Sequence, residues 1–500
     1  MSIKSASQNH QQSQEAGYTF AQNFPKKYLW IFLYLAITSA FIYKSFSTWN
    51  YDDAYITYRY AVNLANGEGF VYNPGERVLS TTTPLFTILL AASSFLWDDI
   101  PHAANILGIF GISLGALFLW DMCQRKNLTF AGYACLVLYP TFPLLVTTIG
   151  LETPLYIAFC LGAIAIYERK QHSIAAVFCA LACLTRPDGI LVPIILAVHY
   201  ILTQRSLPPL KPVLIFSLFV LPWLLFTFLY FGTPVPAALI TKQNQGAMIV
   251  SERFGTGLST VLRPYTRRVL YICEFILSMV GLGAVLFKHK SIWSILFTWT
   301  FLYYLTYSLL GVSRYPWYYA PLVPAFVVAI GLGLTVLSQF KPVNLNGTLQ
   351  YLPGVLSIFV LAILGIGQVF HVRQIKDSPD HRREIYRTVG EWLSENTQVH
   401  DLVGTLEVGI IGYHSQRPML DFAGLLQPEI GSRLGPDTSY ADAALWATEN
   451  YHPHYLVLQD RLYPSLEEGY AAEFCQIVKQ FPGEEYGYPR GLSIFKCSFP

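Results

Sequence analysis

The chain of 500 residues is 53% hydrophobic and only 13% charged, with a mean hydropathy of +0.39. That charge content is about half of the usual figure for soluble domains, which excludes an ordinary soluble globular protein. A net charge of +2 without any nucleic-acid-binding motif argues equally against an acidic polymer as partner.

The 33 Phe, 33 Tyr and 10 Trp suit a polytopic α-helical membrane protein with many interfacial rings. Residues 1–25 are polar, rich in Gln and Ser, and lack a signal-peptide cleavage pattern; they read as a disordered cytoplasmic tail. A transmembrane domain is expected over residues 26–372. Its apolar segments are Tyr28–Phe46, Ala103–Met122, Leu128–Ile149, Thr153–Tyr167, Ser173–Leu184 and Gly189–Leu202, then Val213–Phe231, Val269–Phe287, Ile292–Leu310, Trp317–Leu337 and Tyr351–Phe370. A span needs roughly 20 residues, so the three segments between Thr153 and Leu202 are short for full crossings.

Lys26 and Lys27 place the N-terminus in the cytoplasm by the positive-inside trend, which puts the polar loop 47–84 outside. The short stretch Leu85–Trp97 then decides the topology. If it lies along the outer interface, the basic turns Arg125-Lys126, Arg169-Lys170, Arg205/Lys211, Lys288/Lys290 and Lys341 all fall inside; if it crosses, all fall outside. The trend selects the first arrangement, with about eleven crossings and an external C-terminus.

In the loop 47–84, Asp52 and Asp53 stand just past the first apolar segment. Ala54–Ala65 reads as a short helix, with Ile56, Tyr60 and Leu64 on one stripe. An Asp at its start can cap it, Asn66-Gly67 stops it, and Thr83-Pro84 opens another helix. A helix cap with a solvated neighbour is the plain reading of the acid pair. A second external loop, 232–268, carries Lys242, Arg253, Arg263, Arg267 and Arg268 against the charge trend. Ligand phosphate and anionic headgroups both explain such a loop.

Residues 373–500 change composition and read as a soluble α/β domain on the outer face. Glu384–Leu393 is amphipathic, Asp401–Tyr413 and Tyr455–Leu458 look like strands, and Leu492–Phe495 reads as an edge strand. Cys475 and Cys497 lie outside the apolar segments and can pair in an oxidising compartment. The chain has no P-loop, dinucleotide fingerprint, GxSxG, CxxC or Cys/His cluster. No cofactor is implied, and a divalent cation stays open.

A carboxylate beside the membrane, a basic loop and an apolar groove are what sugar transfer from a lipid-phosphate donor requires. A base takes the acceptor's hydroxyl proton, a cation holds the departing phosphate, and the groove holds the polyprenyl tail.

The residues Asp52-Asp53-Ala-Tyr-Ile-Thr-Tyr-Arg-Tyr-Ala, Asn63-Leu64, Gly67-Glu68-Gly69, Val71-Tyr72-Asn73-Pro74-Gly75-Glu76-Arg77 and Thr83-Pro84-Leu85 carry a resemblance. They are similar to the first external loop of bacterial GT-C glycosyltransferases, most of all the mycobacterial terminal β-(1→2) arabinofuranosyltransferase branch. Gly150-Leu151-Glu152-Thr153-Pro154-Leu155, Thr185-Arg186-Pro187-Asp188-Gly189 and Pro316-Trp317-Tyr318-Tyr319 follow the same order, as do Gly409–Tyr413 and Leu420–Leu425. The resemblance implies a GT-C fold in a bacterial plasma membrane and a polyprenyl-phosphate-linked sugar donor. It further implies a cell-envelope glycan or glycolipid acceptor, inversion at the anomeric carbon and reaction on the periplasmic face. Arabinofuranose is one candidate sugar, since the pocket is not readable and Leu79-Ser80-Thr81-Thr82 replaces a small-residue turn.

By that resemblance Asp52 is the base and Asp53 orients it or the acceptor. The substrate-binding candidates are Arg59, Glu152, Arg186, Arg263, Arg267, Arg268 and Tyr318. Plainer readings stand beside them: Glu152 and Asp188 as helix caps, Trp317–Tyr319 as an aromatic belt, His199 bonded to a neighbouring helix, and Asp421 and Gly424 in a turn. A lipid-linked-sugar transporter or flippase is the rival class, though its polar residues belong near the midplane of repeated halves. A ligase using a pyrophosphate-linked donor is the rival enzyme.

Overall fold

The computed structural model describes residues 26–46, 49–288, 292–340, 350–378 and 380–498; the tail 1–25 lies outside them. Every apolar segment read from the sequence emerges as helix. The third is broken: Thr129–Leu138 and Pro143–Val146 are separated by Tyr139-Pro140-Thr141-Phe142, because Pro140 has no N–H to give to the helix ladder. Among the described residues, five helices are long and apolar enough to cross a membrane: Ile100–Arg125, Pro187–Gln204, Leu210–Phe231, Pro316–Gln339 and Leu352–Lys376. A sixth candidate is the pair Phe254–Thr266 and Val269–Val285, bent by 118°.

Small residues let the central helices touch. A Cβ at Gly281 would collide with the Ala329 carbonyl, and one at Gly333 with that of Leu277. Backbones this close gain packing contacts where the hydrophobic effect offers little. By contrast, helix Leu210–Phe231 buries only 6% of its apolar window and leans mainly on helix His172–Thr185.

In the loop 47–84, helix Asp52–Ala65 begins earlier than the stripe suggested, so both acids are helical residues. The cap expected from an Asp is not made: Tyr51 is the N-cap and supplies no side-chain hydrogen bond. Helix Pro84–Ser93 starts at its proline, as expected, and its 10 residues are too few to cross.

The C-terminal region is a five-stranded sheet flanked by helices. Its strands are β1 (Val403–Thr405), β2 (Met419–Asp421), β3 (Tyr455–Gln459), β4 (Cys475–Phe481) and β5 (Leu492–Cys497), in the order β2-β1-β3-β5-β4. β1 runs parallel to β2 and β3; β5 runs antiparallel to β3 and β4. Two expectations change. Asp401–Tyr413 is a strand only at β1, and Val408–Ser415 is a helix; a short buried apolar run fits either structure. β5 lies inside the sheet, because β4, hidden in the sequence by its polar residues, takes the edge. Cys475 and Cys497 are bonded, and they face each other across the β4–β5 ladder.

The expected domain boundary near 373 is not a packing boundary. Tyr55 and Tyr58 from the first loop, and Phe86 from the helix after it, share one buried cluster with Ile385, Val389, Ile410 and Met419 from beyond that boundary.

Two of the basic turns meet each other. Arg125 and Arg169 both pair with Asp121, at 2.9 and 2.7 Å, and Lys126 pairs with Glu168 at 2.7 Å. With Cys273, the exposed native thiol, replaced by Ser, cysteines placed at Asn127 and Ser259 should react with impermeant maleimide from opposite sides of sealed vesicles. Labelling of both from one side would overturn the topology.

Candidate active site

A cavity of about 340 Å³ opens where the first loop, three interhelical turns and the loop 232–268 meet. Each wall has a local cause. Helix Asp52–Ala65 presents Asp53, Ile56 and Thr57. The extended stretch after Val78 presents Ser80, Thr81, Thr82 and Thr83; Thr57, Thr81 and Thr83 share hydroxyl contacts of 3.0–3.5 Å. Gly150 turns the chain with φ +88°, and its carbonyl accepts from Tyr58 at 2.7 Å. A side chain there would strike Asn50. That turn delivers Leu151 and Glu152 to the cavity; Trp317 and Tyr318 close it.

Two charged groups dominate. Lys242, on helix Ala237–Ala247, reaches Asp53 with Nζ–Oδ2 of 2.9 Å and lies 3.8 Å above the Tyr315 ring. Burial works against its charge, but Asp53 and the tyrosines outweigh it and raise its pKa well above the ordinary value. Arg186 donates to Glu152 at 2.8 Å and takes Asp188 in a two-pronged contact at 3.1 Å. Tyr307 donates to Asp188 at 2.8 Å. Arg186 is thus one cation facing two carboxyl groups, on the wall of the cavity and almost wholly buried.

The expected residues divide. Asp53, Glu152, Arg186 and Tyr318 meet at the cavity. Asp52 does not line it: Oδ2 accepts from Gly409 N–H at 3.0 Å and Oδ1 from Ile410 N–H at 2.7 Å. Arg59 is buried, donating to the carbonyls of Tyr72 at 3.2 Å and of Gly412, so it ties loop to domain. Arg263 lies in the last turn of helix Phe254–Thr266, and Arg267 and Arg268 at the bend after it; none lines the cavity, and the first two are exposed. Of the plainer readings, His199 has its bond to a neighbouring helix, Nδ1 to Tyr167 at 2.9 Å. Asp421 holds its turn by accepting from Ala423, Leu425 and Leu426 N–H.

Lys242 and Asp188 were missed as site residues. A signal existed for Lys242: Ala238, Thr241, Lys242 and Gln245 share one helical face, and all are buried. Thr241 and Gln245 use it to bond Gly424 and Ala423 carbonyls at 3.0 Å. Among the described residues, no group of three His, Cys, Asp or Glu could hold a metal ion.

The same arrangement of helices occurs in known structures. ArnT from Cupriavidus metallidurans bound to undecaprenyl phosphate superposes with a TM-score of 0.63 at 13% identity, covering 93% of this chain and 98% of that one. Its apo state gives 0.65 over 94% and 98%. The chain has the GT-C glycosyltransferase fold. Mycobacterial arabinofuranosyltransferase AftD shares it, with a TM-score of 0.54, 13% identity and coverage of 94% of this chain but 40% of AftD. No curated protein matches this chain in sequence. Residues 373–495 match a domain of unknown function, DUF8728.

Removing the cation of a buried ion group strands its partners, at roughly 3–5 kcal/mol. Arg186→Gln should therefore lower the thermal unfolding temperature in detergent markedly, and Arg263→Gln should not. Equal melting of both variants would show that the Arg186 group carries no such load.

Proposed function

We propose that this chain transfers a sugar from a polyprenyl-phosphate donor to a hydroxyl of a cell-envelope glycan or glycolipid, with inversion, on the extracytoplasmic face. What carries the reading is the Asp53–Lys242 pair on the wall of a cavity that continues into an apolar slot. The slot, about 300 Å³, shares Thr81, Thr82, Pro187, Ile190 and Pro236 with the cavity. It runs to Val220, Trp223 and Leu224 of the largely uncovered helix Leu210–Phe231. A phosphate head beside Lys242 and a prenyl tail leaving toward the bilayer suit these two chambers.

In the reaction the acceptor oxygen attacks the anomeric carbon while the bond from that carbon to the phosphate oxygen breaks. The polyprenyl phosphate leaves with the bonding electrons, and the acceptor proton passes to a carboxylate. A base must lie within hydrogen-bond reach of the proton it takes. On that ground the role goes to Asp53, which lines the cavity, rather than to Asp52, which the sequence favoured. Lys242 offsets charge on the leaving phosphate, Arg186 holds Glu152 and Asp188 in place for the sugar, and the Thr57–Thr83 hydroxyls offer it further partners.

Asp53→Asn should lose about 10²–10⁴-fold in transfer rate while still binding undecaprenyl phosphate. Lys242→Gln should weaken that binding. Membranes supplied with different radiolabelled polyprenyl-phosphate sugars identify the donor by which label leaves the lipid. Parental rates in Asp53→Asn would remove it as the base; label that changes leaflet without leaving its lipid would favour the transporter.

A further inference from the structure

We infer that the C-terminal domain, the part matching a domain of unknown function, belongs to the catalytic apparatus: the first turn of helix Val408–Ser415 positions the acid pair by binding the Asp52 carboxylate. This rests on the transferase reading above.

The first N–H groups of a helix have no partner within it. Here the local N-cap, Glu407, makes no side-chain capping bond. The bonds to Gly409 and Ile410 come instead from Asp52, 357 and 358 residues away in sequence. A carboxylate at a helix N-terminus also meets the positive end of the helix dipole.

The fit allows little slack. A Cβ on Gly409 would collide with the Asp52 carbonyl and carboxylate, and one on Gly412 with the Tyr72 hydroxyl. Around this contact the loop is clamped further. Tyr72 donates to the Val408 carbonyl at 2.6 Å, and Asn73 both gives to and takes from the Met419 backbone at 2.9 Å. Neighbouring residues of a helix point about 100° apart, so a fixed Asp52 sets the direction in which Asp53 enters the cavity. Asp52 is a positioning residue in this scheme, and Gly409 leaves the space that lets it act.

The charges around Asp52 give the device a pH signature. Asp53 and Glu407 face it as acids and Arg382 as a cation. Burial, with the Asp53 charge, pushes Asp52 up to about 6 against its two N–H donors. Burial and the Asp52 charge push Glu407 up as well. Ionised Asp52 is the better acceptor, so positioning weakens as pH falls through about 6.

The test uses the full chain in membranes. Misplacement of a reacting group by about an ångström can cost roughly 10²-fold, and Gly409→Ala should lose kcat on that order with an unchanged KM for donor. Its acid limb should move to higher pH, since hydrogen bonds to the ionised form are lost. Asp52→Asn, which keeps one acceptor oxygen, should retain more activity than Asp52→Ala. Hydrogen exchange at the Gly409 and Ile410 amides should quicken in Asp52→Ala, and undecaprenyl phosphate binding with an intact Cys475–Cys497 bond marks a folded variant. An active parent whose Gly409→Ala variant keeps both rate and acid limb, or unchanged exchange in Asp52→Ala, overturns this inference alone. A parent that transfers no sugar overturns the function and this inference with it.

Discussion

Charge taken out of water has to be paired or hydrogen-bonded, and the architecture around the cavity answers to that constraint. Lys242 is buried, and Asp53 accepts its ammonium at 2.9 Å. Arg186 is buried, and Glu152 and Asp188 flank it. Neither cation could be held there alone, because the penalty for stripping an ion of water far exceeds what packing returns. Each pair also joins distant segments of chain. Lys242 and Asp53 link the loops 232–268 and 47–84, and Arg186 and Glu152 link two interhelical turns. The electrostatics that tolerate charge in this place therefore also assemble the cavity.

The fold was legible because membrane burial writes itself into composition. Runs such as Leu210–Phe231 and Val269–Lys288 leave no other reading. Part of the site was legible for a related reason: Asp53, Glu152 and Arg186 stand in short polar turns between apolar runs, where little else competes for attention. Lys242 was not, since its partner is 189 residues away and its loop holds other cations. Arg263 and Arg267 drew notice by clustering, yet only burial distinguishes a ligand-facing cation from a headgroup-facing one. Arg59 shows the converse, a buried cation spent on backbone carbonyls of Tyr72 and Gly412.

Short elements were the other weak point. Val408–Ser415 is apolar enough for a buried strand and folds as a helix because its first turn finds donors' partners in Asp52, a tertiary effect that local pattern does not carry. β4 alternates poorly, with all but its ends exposed, and it is fixed by pairing with β5 rather than by a buried face. In both cases the deciding contact lies outside the segment itself.

The covalent link between β4 and β5 bears on how the protein is made. β4 is an edge strand with Ile477 52% and Val478 43% exposed, and its free side offers unpaired backbone groups. Open edges of this kind recruit strands from other chains. A disulfide closes only in an oxidising compartment, so a nascent chain whose C-terminal region stayed in the cytosol would meet its neighbours with this hairpin unfastened. On the extracytoplasmic placement proposed above, delivery across the bilayer would serve biogenesis as well as chemistry, and soluble production of the region 373–498 belongs in an oxidising host compartment.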